Sequence, residues 1–282
     1  MTQPKGEETR EERQLLDHYR ELIATSCQIL AQHGLVRGST GHVSQRIPGS
    51  DDILIRGRPN VDKGLRFAEP SSVIRVGPDA IPVGNTRGVS RCSEIYMHTE
   101  MYKYRPDVNA VIHAHPPGAV LCTINNVPLL PISNEGRGIA DKGVPIFNRA
   151  VTLQALEETR PMIELLGKKD AILLSRHGVV VTGRSVEEAT QRALNLEMLA
   201  RMNWIASLHG EVGTYLAEDN EELARRAAVA EEASAHGRDR VDELHPGGFP
   251  GEGGQRGSWP YLKAILDSGA LHFDDIGLGM RF

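Results

Sequence analysis

Helical periodicities and short β-branched runs alternate along this chain without a regular strand–helix–strand rhythm. That favours one α/β domain with a mixed or antiparallel central sheet flanked by helices. From about Glu12 to His33 the residues Leu15, Leu16, Tyr19, Leu22, Ile23, Cys27, Ile29 and Leu30 recur at helical spacing, and Gly34 stops the run. Short β-like runs follow at Val43–Ile47, Ile53–Ile55 and Val73–Val76, separated by clusters of turn formers. Ser93 is a good N-cap for a helix that carries Glu94 and His98 and stops at Pro106. Val108–His113 reads as a buried strand, Pro116 and Pro117 open a short helix toward Cys122, and Leu153–Leu166 reads as a helix broken at Pro161. Strands are predicted at Ala171–Ser175 and Val179–Thr182. Ser185 and Glu188 then form a capping box for a long helix reaching about His209. Glu221–Ala235 is predicted helical, and a last short element spans Trp259–Leu271.

These patterns divide the 282 residues into a flexible N-terminus (1–11), a main domain (12–236) and a Gly/Pro-rich linker with a C-terminal segment (237–282). Hydrophobic residues at 40% and charged residues at 24% fit a soluble globular protein. The formal charge of -5 comes with no basic block, which argues against a nucleic-acid partner. No apolar run approaches the roughly 18 residues needed to span a bilayer, and Met1–Arg20 lacks the apolar centre of a signal peptide, so a cytoplasmic protein without a membrane partner is expected. Cys27, Cys92 and Cys122 are widely spaced, outside any Cys-x-x-Cys pair, and read as packing rather than as a disulfide frame.

The informative residues are histidines. His113-Ala114-His115 ends an apolar strand, where alternate side chains share one face, and His177 ends another in Ser175-Arg176-His177-Gly178. Two such strand ends can form a three-nitrogen metal site with an open position, although a histidine at a strand end can equally cap a loop by hydrogen bonding. Glu94 and His98 stand one helical turn apart. The carboxylate can complete a metal shell, act as general acid and base, or belong to a solvated surface pair.

Ser93-Glu94 with His98, Arg105-Pro106-Asp107, Ala110-Val111-Ile112-His113-Ala114-His115-Pro116 and Leu174-Ser175-Arg176-His177-Gly178 together resemble the class II aldolase and adducin family, over roughly His18 to His209. The resemblance implies a single three-layer α/β/α domain around a mostly antiparallel sheet, and a cyclic tetramer with active sites at subunit interfaces. It also implies one divalent metal per subunit, Mn²⁺ or Zn²⁺, held by His113, His115 and His177. Glu94 then matches a carboxylate that ligates the metal in the absence of substrate and carries a proton during turnover. Retention of all these ligands argues against a catalytically silent, adducin-like scaffold.

Departures from the family's sugar-phosphate aldolases bear on the substrate. Where those proteins hold phosphate with a Gly-Asn-x-Ser turn, a Thr/Ser-Gly turn and a Ser-Ser pair, this chain has Gly41-His42-Val43-Ser44, Ile55-Arg56-Gly57-Arg58 and Cys92-Ser93. A guanidinium suits a planar carboxylate better than short hydroxyls do, so Arg56, Arg58 and Ser93 are the expected substrate-binding residues. The stretch with Arg58, Lys63 and Arg66 resembles that of family members that decarboxylate hydroxylated aromatic diacids, such as 3-hydroxy-2-methylpyridine-4,5-dicarboxylate and 3,4-dihydroxyphthalate. The expected activity is therefore non-oxidative decarboxylation of a small aromatic carboxylate, with Glu94 as proton carrier and His42 positioning the carboxylate or moving a proton. The rival is an aldolase or epimerase using the same metal. Trp259, Tyr261 and Lys263 on the last element suit either a lid over a neighbouring active site or a helix that packs on its own subunit.

Overall fold

Thr9 opens the first helix, α1 (Arg10–Gln32). Its hydroxyl accepts from the Glu12 N–H at 3.1 Å while the Glu12 carboxylate accepts from the Thr9 N–H at 2.8 Å, which satisfies two otherwise orphaned donors. Arg10 and Glu11 therefore belong to the helix and not to a flexible leader. The computed structural model describes residues 9–149, 152–210, 213, 221, 225 and 258–269.

Strands β1 (His42–Arg46), β2 (Ile53–Arg56), β3 (Val73–Val76), β4 (Ala110–Ala114), β5 (Ile146–Phe147), β6 (Ala171–Leu174) and β7 (Gly178–Gly183) make one seven-stranded sheet in the order β3-β2-β1-β4-β7-β6-β5. Every neighbouring pair is antiparallel except β5 with β6. Strand alternation divides the apolar residues between two cores. Val43, Leu54, Ala110, Ile112, Leu173, Val179 and Val181 face one side, and Ile53, Ile55, Val111, Ile172, Leu174 and Val180 face the other.

Helices α1, α3 (Pro117–Asn125), α4 (Asn134–Ala140) and α6 (Val186–Ser207) cover the first side, and α2 (Tyr96–Tyr104) packs with α5 (Leu156–Leu166) on the second. The result is the expected three-layer α/β/α arrangement with a mostly antiparallel sheet. Among the described residues no helix is long and apolar enough to cross a membrane.

Four local readings change. Ser93 does not cap α2. Residues 93–95 form a turn, the helix begins at Tyr96, and no side chain caps it. Pro161 does not break α5: it is exposed on the outer side of a continuous helix, where its ring meets solvent and only one backbone bond is lost. Glu188 caps α6 differently from a closed box, because its carboxylate takes the Arg184 N–H at 2.6 Å while the Ser185 hydroxyl accepts from the Glu188 N–H at 3.2 Å. The last helix, α7 (Ser258–Ser268), buries Leu262 against α1 and α6 of its own chain, on the sheet side opposite α2. Tyr261 is exposed there and Lys263 pairs with Asp267 at 2.9 Å, so within its own chain the described part of the tail is a docked helix, away from that chain's histidine cluster. Apart from Glu221 and Arg225, the helix expected at 221–235 and the linker at 237–257 lie outside the described residues.

Candidate metal centre

The site grows from the end of β4. Val111 faces the α2 side, and alternation carries His113 and then His115 to the same side. His113 pairs in register with His42 on β1 and with Val180 on β7, so the central strand presents its imidazole between two neighbours. Its Nδ1–H donates to the Val179 carbonyl at 2.9 Å, which leaves the Nε2 lone pair pointing into the site. His115 is followed by α3, whose first free N–H groups, Gly118 and Ala119, donate to the buried Glu197 carboxylate at 2.9 and 3.1 Å. His177 stands in the tight 175–177 turn joining β6 to β7. That turn holds Arg176 at φ +57° and is pinned by the Arg176 N–H donating to Thr123 Oγ1 at 2.9 Å.

Glu94 comes from the turn before α2, which swings its side chain inward, and both Glu94 and His98 are buried, so the surface-pair reading falls. Glu94 Oε2 lies 3.4 Å from His113 Nε2 and 3.8 Å from His42 Nε2, and Oε1 lies 3.6 Å from His177 Nε2. His115 Nε2 lies 2.9 Å from His113 Nε2. Ligand atoms of Glu94, His113, His115 and His177 all fall within 4.8 Å of one another.

A tetrahedral ion with ligand distances of about 2.1 Å needs donor atoms about 3.4 Å apart, and these separations bracket that value. The donor set fits in chemistry as well. Glu94 Oε1 is buried without a hydrogen bond, a costly state for a carboxylate oxygen that a cation relieves. Gly178 makes the approach of β7 possible, since a Cβ there would lie 2.2 Å from the Ala114 carbonyl oxygen and 3.0 Å from His115 Cδ2.

Burial disfavours the charged form of His42, His98 and His115. Burial, followed by the fields of His113 and His177, lowers the His115 pKa to about 3, and burial with the same neighbour His113 brings His98 to about 3. His42 is lowered well below the usual histidine range, first by burial and then by His113, His98 and Arg58. Burial pushes the Glu94 carboxyl up, but hydrogen bonding and attraction from His113, with His177 and His115 behind it, outweigh this and hold it below the ordinary carboxylate range. Neutral nitrogens around an ionised oxygen are what a divalent cation requires.

The arginines separate. Alternation along β2 puts Arg56 on the α1 side with Leu54, away from the cluster, where it is buried and forms a two-bond pair with Asp62. The expectation that Arg56 binds substrate is therefore corrected: its guanidinium faces the wrong core and is already engaged. Arg58 lies past the strand, where its backbone bridges Ser90. It is half-buried, makes no side-chain hydrogen bond among the described residues, and its charge acts on His42 and Cys92. Ser93 is exposed beside Glu94, and Lys63 and Arg66 are exposed. Cys92 is packed in the α2-side core, its thiol pushed up to about 12 chiefly by burial.

Two residues escaped the reading of the sequence. Ser44 meets His98 and Tyr102 meets Ser44, and the signals were present: Ser44 is one alternation from His42, and Tyr102 one helical turn from His98.

A three-layer sheet that presents three imidazoles and a carboxylate at the end of its central strand has the layout of the class II aldolase fold. Residues 21–204 match the model of the Class II Aldolase and Adducin N-terminal domain, and the chain belongs to that family. It is 35% identical, over 65% of its length and 77% of the relative's, to a 3,4-dihydroxyphthalate decarboxylase of Arthrobacter keyseri. It is 32% identical, over 71% of its length and 86% of the relative's, to one of Terrabacter sp. (strain DBF63). An aldolase II superfamily protein from Pseudomonas syringae superposes with a TM-score of 0.67 at 22% identity, over 86% of this chain and 96% of that one, a likeness of fold alone. The family and these relatives make the chain a carbon–carbon lyase.

Proposed function

We propose that this lyase is a metal-dependent, non-oxidative decarboxylase of a hydroxylated aromatic or heteroaromatic dicarboxylate in which the departing carboxylate lies ortho to a hydroxyl. The observation that carries the reading is the convergence of Glu94, His113, His115 and His177 in a chain whose relatives bear the name 3,4-dihydroxyphthalate decarboxylase. The four residues hold one divalent cation, and three imidazoles with a carboxylate suit Mn²⁺ or Zn²⁺. When bound, the ion supplies a Lewis-acid sink for the negative charge that develops on carbon–carbon cleavage.

The chain's own groups do the rest. Arg58, half-buried and without a side-chain hydrogen bond, takes a substrate carboxylate, and the Ser93 hydroxyl offers a second polar contact beside Glu94. His42 orients that carboxylate from the floor of the site. Glu94 takes the proton of the substrate's ortho hydroxyl, leaving a phenolate, and delivers it to the ring carbon. The bond from that carbon to the carboxylate breaks, its electron pair returns to the ring, and CO₂ leaves. Burial of Glu94, His42 and His113 between sheet and α2 limits bulk water there and strengthens each of these contacts. The enzyme works as a cytoplasmic homotetramer on this reading.

The test is a panel of aromatic diacids and sugar phosphates assayed with Mn²⁺ or Zn²⁺ for CO₂ and for aldehyde. Release of CO₂ from an ortho-hydroxy diacid is the expected result. Aldehyde from a sugar phosphate, with no CO₂ from any diacid, would return the chain to the aldolases.

A further inference from the structure

Behind His42, buried polar groups form a line leading away from the cluster. His42 Nδ1 lies 3.3 Å from His98 Nε2, His98 Nδ1 lies 2.6 Å from Ser44 Oγ, and Ser44 Oγ lies 2.7 Å from the Tyr102 hydroxyl. All four residues are buried, so a donor or acceptor left over in this line pays its full desolvation. With neutral rings the protons can run in one of two directions.

In one direction Tyr102 donates to Ser44, Ser44 donates to His98 Nδ1, and His98 Nε2–H donates to His42 Nδ1. Every link is then made and the His42 proton sits on Nε2. In the other direction His42 Nδ1–H donates to His98, His98 donates to Ser44, and Ser44 donates to the Tyr102 oxygen. The phenol proton then has no acceptor among the described residues. Turning Ser44 to the Val111 carbonyl relieves this poorly, because that contact is 3.4 Å, long for an O–H···O bond and far longer than the Ser44 contacts to His98 and Tyr102.

We infer that His98 and Ser44, with Tyr102 behind them, lock His42 in the Nε2–H tautomer and aim that N–H into the site as a hydrogen-bond donor for a carboxylate oxygen of the substrate. The open end of the line agrees. His42 Nε2 is buried without a hydrogen bond, and its nearest carboxylate oxygen, on Glu94, is 3.8 Å away. An anionic oxygen entering beside Arg58 would satisfy it. His42 is then neither a ligand of the cation nor a base, since its only free nitrogen carries a proton; His98 and Ser44 are positioning residues. The identity of the acceptor rests on the decarboxylase reading, whereas the tautomer does not.

The test uses full-length protein labelled with ¹⁵N in histidine, both metal-free and loaded with Zn²⁺, with the His42 signals assigned through His42→Gln. The expected spectrum couples the His42 ring proton to Nε2 and shows Nδ1 bare. Tyr102→Phe should keep this pattern, because Ser44 still has His98 as its acceptor. Ser44→Ala should mix the two tautomers and raise KM for the diacid about tenfold, the loss of one charge-assisted hydrogen bond, with unchanged Zn²⁺ content. A His42 proton on Nδ1 in the wild-type protein, or a bare Nε2 bound to Zn²⁺, would overturn the inference. So would a Ser44→Ala protein with His42 and KM unaltered. A protein that shows the Nε2–H tautomer yet acts on no aromatic diacid would support the lock and remove the proposed substrate.

Discussion

His42 and His113 are register partners across the β1–β4 ladder, and their rings stack with centroids 5.1 Å apart and an interplanar angle of 29°. The contact belongs to the sheet, so His113 is held by strand pairing, while Glu94 and His177 are delivered by short turns that flank it. Removing a ligand should therefore empty the site without dissolving the fold.

His113→Ala, His115→Ala and His177→Ala should each lose bound metal and activity while the far-ultraviolet circular dichroism stays native. Metal analysis by mass spectrometry checks this. Full occupancy in all three variants would remove these residues from the ligand set.

Glu94→Gln should keep most of the metal and lose turnover by at least a hundredfold, the usual contribution of a positioned acid or base, because an amide fills the space but carries no proton near neutral pH. Turnover close to wild type would take the proton-carrying role away from Glu94.

Gly178→Ala should be destabilising by about 1–3 kcal/mol, the usual cost of overpacking a tight interior. The added methyl would press on the Ala114 carbonyl and the His115 ring, so weaker metal binding is expected alongside the lower denaturation midpoint. Isothermal titration with Zn²⁺ separates the two effects.

The two arginines should fail differently. Arg58→Ala is expected to raise KM for a diacid while leaving the unfolding midpoint near wild type. Asp62→Asn strands the buried Arg56 and should cost about 3 kcal/mol of stability with little change in KM. Burial raises the Asp62 pKa, but hydrogen bonds from Arg56 and the Gly64 N–H, with the guanidinium charge, bring the net value below the ordinary carboxylate range. A group depressed on folding stabilises fully above its unfolded value and loses that contribution as pH falls through the folded one. The variant should accordingly show a flatter loss of stability on acidification, measured by urea unfolding across the acidic range.

What the sequence revealed follows from how far each signal is local. His113-Ala114-His115 declares its shared face through strand alternation alone, and the long apolar periods of α1 and α6 declare their helices. Arg56 could not be placed in the same way, because its face depends on where β2 begins and on which core Leu54 enters. Ser93 has the chemistry of a cap, yet the turn that delivers Glu94 displaces the helix start beyond its reach. Helix α4, with Gly136 and Gly138 inside it, and the two-residue β5 are too short to establish a period; packing on α6 and pairing with β6 make them. The line from His98 to Tyr102 joins a strand to a helix from far along the chain and becomes visible only when β1 and α2 are packed.

The four candidate ligands are drawn from three segments that meet only when β4 and β7 are paired and the turn before α2 is closed. An unfolded chain offers no such cluster, so a cation binds the native state alone and shifts the folding equilibrium by mass action. At a free metal concentration a hundred times its dissociation constant the gain is about 2.7 kcal/mol, a sizeable part of the total stability of an ordinary domain. Metal supply would thus govern how long each molecule survives as well as how fast it works, and starvation for the ion would be expected to appear first as proteolytic turnover of the enzyme.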